Sequence, residues 1–137
     1  MAKRALLTAA LAAFLVSACS DAFSPESVSG QYTLVSIDGE PLPTTATTTY
    51  NGVPVTATVS AGAITLNENG SYTLTFQVSA EFGGSVINTT LPDAGTFTLE
   101  EPSTIRFNSN NAGQLTGTLE GGRLSVTYDG EAMVFER

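Results

Sequence analysis

The chain lacks histidine and tryptophan, and its 137 residues include a single cysteine. Without histidine, most nucleophile–base pairs and most transition-metal sites have no residues to form them. One cysteine cannot form a disulfide within the chain, so an apolar core must hold the fold. Basic residues are also scarce, 5 against 13 acidic ones. We therefore expect no nucleic-acid partner, because nucleic acids require a basic face.

The first nineteen residues have the pattern of a secretory signal peptide. Lys3 and Arg4 make the start positive, residues 5–16 are apolar except for one threonine, and small residues precede Cys19. The apolar run of about 12 residues is shorter than the roughly 20 that a permanent membrane-spanning helix needs. Residues 1–18 are therefore predicted to be removed from the mature protein.

The run Val16-Ser17-Ala18-Cys19 resembles the lipobox of bacterial lipoproteins, with valine in place of the commoner leucine. The resemblance implies a diacylglyceryl group on the Cys19 thiol, cleavage after Ala18 and often acylation of the new amine, with palmitate as the expected kind of acyl chain. Two or three acyl chains hold a protein on a membrane almost permanently. The alternative is an ordinary signal peptide with an incidental cysteine. Ser20 follows the cysteine, where aspartate favours inner-membrane retention in enterobacteria, so we expect an envelope position on the outer membrane.

Cleavage would leave a strongly acidic mature chain. Loss of Lys3 and Arg4 changes the formal net charge from −8 to −10 and removes the last lysine. Anionic lipid headgroups repel such a body, which should stand off the membrane surface. Residues 19–29, the lipidated cysteine and a polar stretch with Pro25 and four serines, are predicted to be a flexible tether.

Short strands and tight turns predict one all-β domain over residues 30–137. The clearest strand is 71–82, where apolar and polar positions alternate without a break. Turn pairs such as Asn51-Gly52 separate the short strand-like segments. Hairpin connections and the need to protect edges favour a small antiparallel up-and-down β-barrel of 8–10 strands over a Greek-key sandwich. The strand-like segments are residues 31–37, 45–50, 53–60, 63–66, 71–82, 85–91, 95–100, 104–108, 114–120, 123–128 and 132–136.

The alternation assigns eighteen apolar side chains to the barrel interior. Burial of each large side chain contributes roughly 1.5–3 kcal/mol, which is enough in sum for a domain of this length. Val35 and Ile37 face away from this set, so another segment must cover them or they form an exposed contact patch. The same two possibilities apply to Val86 and Ile87. The predicted interior set is Tyr32, Leu34, Tyr72, Leu74, Phe76, Val78, Phe82, Phe97, Leu99, Ile105, Phe107, Leu115, Leu119, Leu124, Val126, Tyr128, Met133 and Phe135.

The motifs GQYTL at residues 30–34 and GEPLP at 39–43 resemble the start of the lipocalin-like domains of small bacterial lipoproteins. GSYTL at 70–74 also matches, and the resemblance covers about residues 30–137. It implies a lipocalin-like barrel. Lipocalins place a tryptophan where Tyr32 stands and an arginine near the last strand that packs on it. Arg123 is the candidate for that arginine, and the C-terminal helix of lipocalins is absent.

The barrel interior is the best candidate for a ligand site. An eight-stranded barrel is just wide enough to be filled by side chains or to hold one small ligand, and both remain open. A bound molecule would be small and apolar, with the hydroxyls of Tyr72 and Tyr128 as polar contacts. The candidate ligand-binding residues are Tyr32, Tyr72, Phe76, Phe97, Phe107 and Tyr128.

We expect no catalytic site, cofactor or metal. Serine and threonine are abundant, but the mature chain has neither histidine nor lysine to activate them. Glu100 and Glu101 are adjacent and so point to opposite faces of a strand, while Asp93 and other acids are assigned to turns. Two functions follow: an anchored barrel that binds or carries a small apolar ligand, or a structural or interaction lipoprotein with a filled barrel that contacts another envelope protein.

Overall fold

The computed structural model describes residues 23–137, which form ten strands and one helical turn. The predicted signal peptide and Cys19 lie outside these residues. The elements are α1 Pro25–Val28, β1 Gly30–Ile37, β2 Glu40–Pro41, β3 Thr44–Tyr50, β4 Val53–Leu66, β5 Ser71–Phe82, β6 Ser85–Glu100, β7 Thr104–Ser109, β8 Gly113–Glu120, β9 Arg123–Tyr128 and β10 Glu131–Glu136.

The strands make one antiparallel sheet in the order β2-β1-β10-β9-β8-β7-β6-β5-β4-β3. β1 pairs with β10 on one side and with the end of β4 on the other, where Tyr32 faces Ile64. Eight strands thereby close into a barrel. The all-β class and the up-and-down barrel predicted from the turn signals are confirmed, and the geometry is consistent with a lipocalin-like barrel.

Two segments that the sequence divided are single long strands. β4 runs unbroken because Ser60 forms a bulge against β5, which absorbs the irregularity without ending the ladder. β6 runs through Pro92, which precedes Gly95, the first β6 residue paired with β7. Because β6 has a neighbour on one side only at Pro92, the missing N–H breaks no ladder bond there. The turn predicted at Pro92 and Asp93 is wrong.

A second bulge turns Ile37 into the core. β1 meets β10 with Leu34 opposite Phe135 and Ser36 opposite Val134, so one residue between them has no partner. This extra residue reverses the alternation of the strand, and Ile37 is buried. The prediction that Ile37 faces away from the core is therefore wrong.

Four strands continue past one end of the barrel as a structure that we call the open sheet. It consists of β3, residues 53–60 of β4, residues 77–82 of β5 and residues 85–91 of β6. Within the described chain, β3 and this half of β6 each have a paired neighbour on one side only. The open sheet is about 24 Å long, because its strands contribute six to eight residues each.

The segment before β1 packs on the opposite end, the tether end. Ser24 caps α1: its side chain accepts from the Ser27 N–H, and Ser27 Oγ accepts from the Ser24 N–H. Val28 is buried and Phe23 contacts the core. The residues from Phe23 onward are therefore folded onto the barrel and are not a flexible tether; the rest of the predicted tether lies outside the described residues.

Buried apolar side chains form one continuous core in the barrel. Tyr32, Ile105, Leu124 and Phe135 are 0% exposed, so no void large enough for a water molecule lies against them. Among the eighteen predicted interior residues, Phe82 alone is exposed, because it belongs to the open sheet. The buried apolar side chains are Val28, Tyr32, Leu34, Ile37, Ile64, Leu66, Tyr72, Leu74, Phe76, Phe97, Ile105, Phe107, Leu119, Leu124, Val126, Met133 and Phe135.

Candidate functional site

All six predicted ligand-binding aromatics lie inside the barrel, but they pack in separate groups. Tyr72 and Phe107 have ring centroids 5.0 Å apart, and Phe97 lies 6.5 Å from Phe107. Phe76 and Tyr128 form a second pair at 5.8 Å. Tyr32 belongs to neither group. The rings contact one another and other core side chains, so they form a packed core.

Tyr32 closes the tether end of the barrel. Its hydroxyl donates to the Val28 carbonyl at 2.7 Å, and burial raises the pKa of that hydroxyl. The Arg137 guanidinium lies 5.1 Å from the ring centroid and also donates to the Ser29 carbonyl at 2.9 Å. The cation, the ring and the backbone carbonyls together seal this end.

Arg137, and not Arg123, is the arginine that packs on Tyr32. Arg123 lies opposite Glu136 on the neighbouring strand, and the two side chains form an exposed ion pair at 3.4 Å. Since Leu124 and Phe135 point into the barrel, their chain neighbours Arg123 and Glu136 must point outward. The role proposed for Arg123 is therefore wrong.

A buried carboxylate closes the other end, towards the open sheet. Asp93 is 6% exposed. Its Oδ2 accepts hydrogen bonds from Ser109 at 2.5 Å, Tyr128 at 3.1 Å and Tyr72 at 3.4 Å. Its Oδ1 accepts from the Ala94 N–H at 2.8 Å. We call Asp93 and the three hydroxyl residues the Asp93 cluster; its hydrogen bonds replace the water that a carboxylate loses on burial.

Four strands bring the Asp93 cluster together, with Tyr72 on β5, Asp93 on β6, Ser109 on β7 and Tyr128 on β9. Ser109 is the last residue of β7 and Tyr128 the last residue of β9, and both hydroxyls reach Asp93 Oδ2. Opposite Ser109, β6 carries Gly95, because the Asn108 carbonyl and the Tyr72 ring occupy the space of a Cβ there. Sequence reasoning missed Asp93, although it has the same alternation on β6 as the inward-facing Phe97. That alternation was the available signal.

The hydroxyl groups of the Asp93 cluster are held in their protonated, hydrogen-bonded forms. Burial raises the pKa of Tyr72 to about 12, and the neighbouring Asp93 charge adds to this effect. Burial also raises the pKa of Tyr128, again with a contribution from Asp93. Ser109 Oγ accepts the N–H groups of Asn111 and Ala112 at 3.1 and 2.9 Å while its own hydrogen points to Asp93. Its oxygen is therefore fully engaged and is not free to act as a nucleophile.

The open sheet carries the exposed apolar side chains. Across residues 23–137, all five exposed large apolar residues belong to it. The sequence left open whether Val86 and Ile87 are covered, and both are exposed. The five are Tyr50, Phe82, Val86, Ile87 and Leu91, with exposed fractions of 64, 41, 62, 61 and 49%.

The open sheet has two different faces, because directly opposed residues of an antiparallel pair share a face. The apolar face continues the inner surface of the barrel, and Tyr50 and Phe82 meet on it edge to face at 6.5 Å. The other face is polar, with Thr45 and Thr58 hydroxyls 2.9 Å apart. The apolar face comprises Ala46, Tyr50, Val53, Val55, Ala57, Val59, Val78, Ala80, Phe82, Ile87 and Leu91, with Thr44, Thr48, Ser85 and Thr89 among them.

Comparisons with known proteins identify no family. No family model matches the sequence, and no curated protein matches it either. Between residues 23 and 137, no helix is long and apolar enough to cross a membrane. The same residues contain no group of three histidine, cysteine, aspartate or glutamate side chains that could hold a metal ion.

Replacement of Asp93 by alanine should destabilise the fold. Asp93→Ala removes the shared acceptor of three hydroxyl groups, and we expect the free energy of unfolding to fall by about 3 kcal/mol. Glu81→Ala, at an exposed position, should change it by no more than about 0.5 kcal/mol. Urea denaturation of both variants measures the difference. Equal changes in the free energy of unfolding for the two variants would show that the hydrogen bonds of the Asp93 cluster do not stabilise the fold.

Stability should fall at high pH because of Tyr72. The pKa of this residue is raised from 10.0 to about 12 on folding, so the folded state holds the proton more tightly. The resulting stability is fully present below pH 10 and is lost as the pH rises to about 12. Denaturation at a series of pH values should show this fall, which Tyr72→Phe makes shallower and the exposed control Tyr50→Phe does not. An unchanged slope in Tyr72→Phe would contradict the assignment.

Proposed function

We propose that the protein is a lipid-anchored lipoprotein of the cell envelope whose barrel is a rigid support and whose open sheet binds a protein partner. The observation that carries this proposal is the apolar face of the open sheet. Four of the five exposed large apolar side chains lie on it: Tyr50, Phe82, Ile87 and Leu91. Exposed apolar surface of this kind marks interaction sites in proteins that are otherwise well packed.

The charge distribution supports the same function. The chain has 13 acidic residues, yet Glu81 is the only charged residue in 44–60 and 77–91, the two segments that build the open sheet. Glu81 pairs with Val86 and Thr56, on the polar face. The apolar face therefore carries no charge, and a partner can cover it without removing an ion from water.

The position of the open sheet favours a protein partner over the membrane surface. Cys19 precedes Phe23 by four residues, which reach about 14 Å at most. Phe23 lies at the tether end beside Pro102 and Gly122, and β6 begins in the open sheet and ends at that turn. A lipid on Cys19 would thus hold the tether end at the membrane and direct the open sheet away from it.

The filled interior gives less support to a ligand carrier. The six aromatics proposed as ligand contacts pack on one another and on other core residues, and both ends of the barrel are sealed by hydrogen-bonded groups. A ligand would have to displace well-packed side chains, and the free energy that their packing contributes would then be lost. The open sheet needs no such rearrangement before it binds.

The lipid anchor is tested by Cys19→Ser in the full chain. The parent protein should be found in the membrane fraction, incorporate a labelled palmitate and enter the detergent phase on phase separation. Cys19→Ser should lose the label and the membrane attachment, because its acyl chains supply the attachment. Ser20→Ala keeps the cysteine and is the matched control. Membrane attachment of Cys19→Ser equal to that of the parent would refute the anchor, and gradient fractionation of the parent tests the outer-membrane position.

Partner binding is tested with a photoreactive amino acid at Ile87 or at Val86. The two residues are adjacent and are 61 and 62% exposed, but Ile87 lies on the apolar face and Val86 on the polar face. On irradiation of intact cells, Ile87 should yield a protein adduct of defined mass and Val86 should not. The additional substitution Leu91→Glu, on the same apolar face, places a charge in the contact. It should lower the adduct yield from position 87 about tenfold. Equal adducts from both positions would reject the proposal.

A further inference from the structure

We propose that the partner of the open sheet is a second copy of this chain, and that the two apolar faces pack on each other as the two layers of a β-sandwich. This inference rests on the proposed function, namely that the open sheet binds a protein. A sheet with one apolar face and one polar face is half of a two-layer structure. A second copy supplies the missing layer with the same width, length and side-chain pattern.

The apolar face is where two copies of this acidic chain can meet without repulsion. Two mature chains of formal net charge −10 repel each other over most of their surfaces. The apolar face avoids this repulsion, because the one charged residue of the open sheet, Glu81, points to the polar face. A second copy can therefore approach by this face without placing like charges in contact.

The geometry of the anchor fits such a pair. A two-fold axis along the strands and between the two sheets relates copies that stand side by side. Both tether ends then lie on the same side, so both lipids can enter one membrane. The contact is isologous, with Ala80 of one copy near Ala57 of the other, because both residues lie at the centre of the apolar face.

The surface area of the apolar face limits how stable the dimer can be. Four strands about 4.8 Å apart and about 24 Å long present a face of roughly 450 Å². The two copies together bury about 900 Å², which is below the roughly 1,200–2,000 Å² of stable interfaces. We therefore expect the pair to form on the membrane, where anchoring raises the effective concentration, and to dissociate readily once the anchor is removed.

The N-terminal segment of the mature chain is too short to cover the face. The four residues before Phe23 span about 14 Å. β6, with 16 residues, runs from the open sheet to the turn beside Phe23 and is about 53 Å long. With cleavage before Cys19, as the proposed function has it, this segment does not reach the apolar face, which a second copy can cover.

The test uses cysteine cross-linking of the full-length lipoprotein in its membrane. Ala80→Cys places a thiol at the centre of the apolar face, and Ser79→Cys places one on the polar face of the same strand. With a short bismaleimide, Ala80→Cys should give an adduct of twice the chain mass and Ser79→Cys should not. Ile87→Glu added to Ala80→Cys should lower the yield about tenfold, since a charge enters the contact. Val86→Glu should leave the yield unchanged.

Each other outcome rejects a specific statement. A twofold-mass adduct that forms equally with Ser79→Cys reflects random collision and overturns the self-association. An Ala80→Cys adduct with a different protein, without the twofold-mass product, overturns the self-association but leaves the proposed function intact. The absence of any adduct, both here and from the photoreactive residue at Ile87, overturns both. Ala57→Cys, on the same face of the neighbouring strand, replaces Ala80→Cys if that variant accumulates poorly.

Discussion

The pairing of β1 with the end of β4 is the constraint on which the rest of the molecule depends. It closes eight strands into a barrel and so satisfies backbone groups that would otherwise form two sheet edges. The same pairing uses only residues 63–66 of β4. The first half of that strand is left to β3, and with the long β5 and β6 it continues as the open sheet. Closure at one end of β4 thus creates both the stable core and the sheet that extends beyond it.

The barrel is sealed by different chemistry at its two ends. At the tether end, Arg137 lies over the Tyr32 ring and both donate to backbone carbonyls of the segment that precedes β1. At the other end, Asp93 accepts hydrogen bonds from three hydroxyl groups, on β5, β7 and β9. Both arrangements tie distant strands together and leave buried polar groups satisfied. A barrel filled and sealed in this way is a rigid support, which is why the proposed interaction lies outside it.

Alternation of apolar and polar residues predicted most of this barrel, and it failed where the backbone departs from a regular strand. Ile37 is buried because the bulge in β1 shifts the register by one residue. Asp93 is inside because β6 continues through a proline at a position where it lacks a second neighbour. Phe82 follows the alternation of the core residues on β5 but lies beyond the barrel, where no opposite wall covers it. The residue pattern does not reveal the burial of Ile37 or the exposure of Phe82. Asp93 keeps the inward alternation of β6, and only the turn signal of Pro92 obscured it.

The sequence by itself determined the all-β class, the up-and-down order of the strands and the aromatic character of the interior, because strand alternation and turn residues are local properties of the chain. It also predicts a signal peptide and a lipobox, because both are recognised as linear motifs. The tertiary structure decided which arginine packs on Tyr32, that Asp93 is the centre of a buried cluster, and that one face of four strands is exposed. These features depend on the register between strands and on where the barrel closes, and both are set by contacts between residues far apart in the chain.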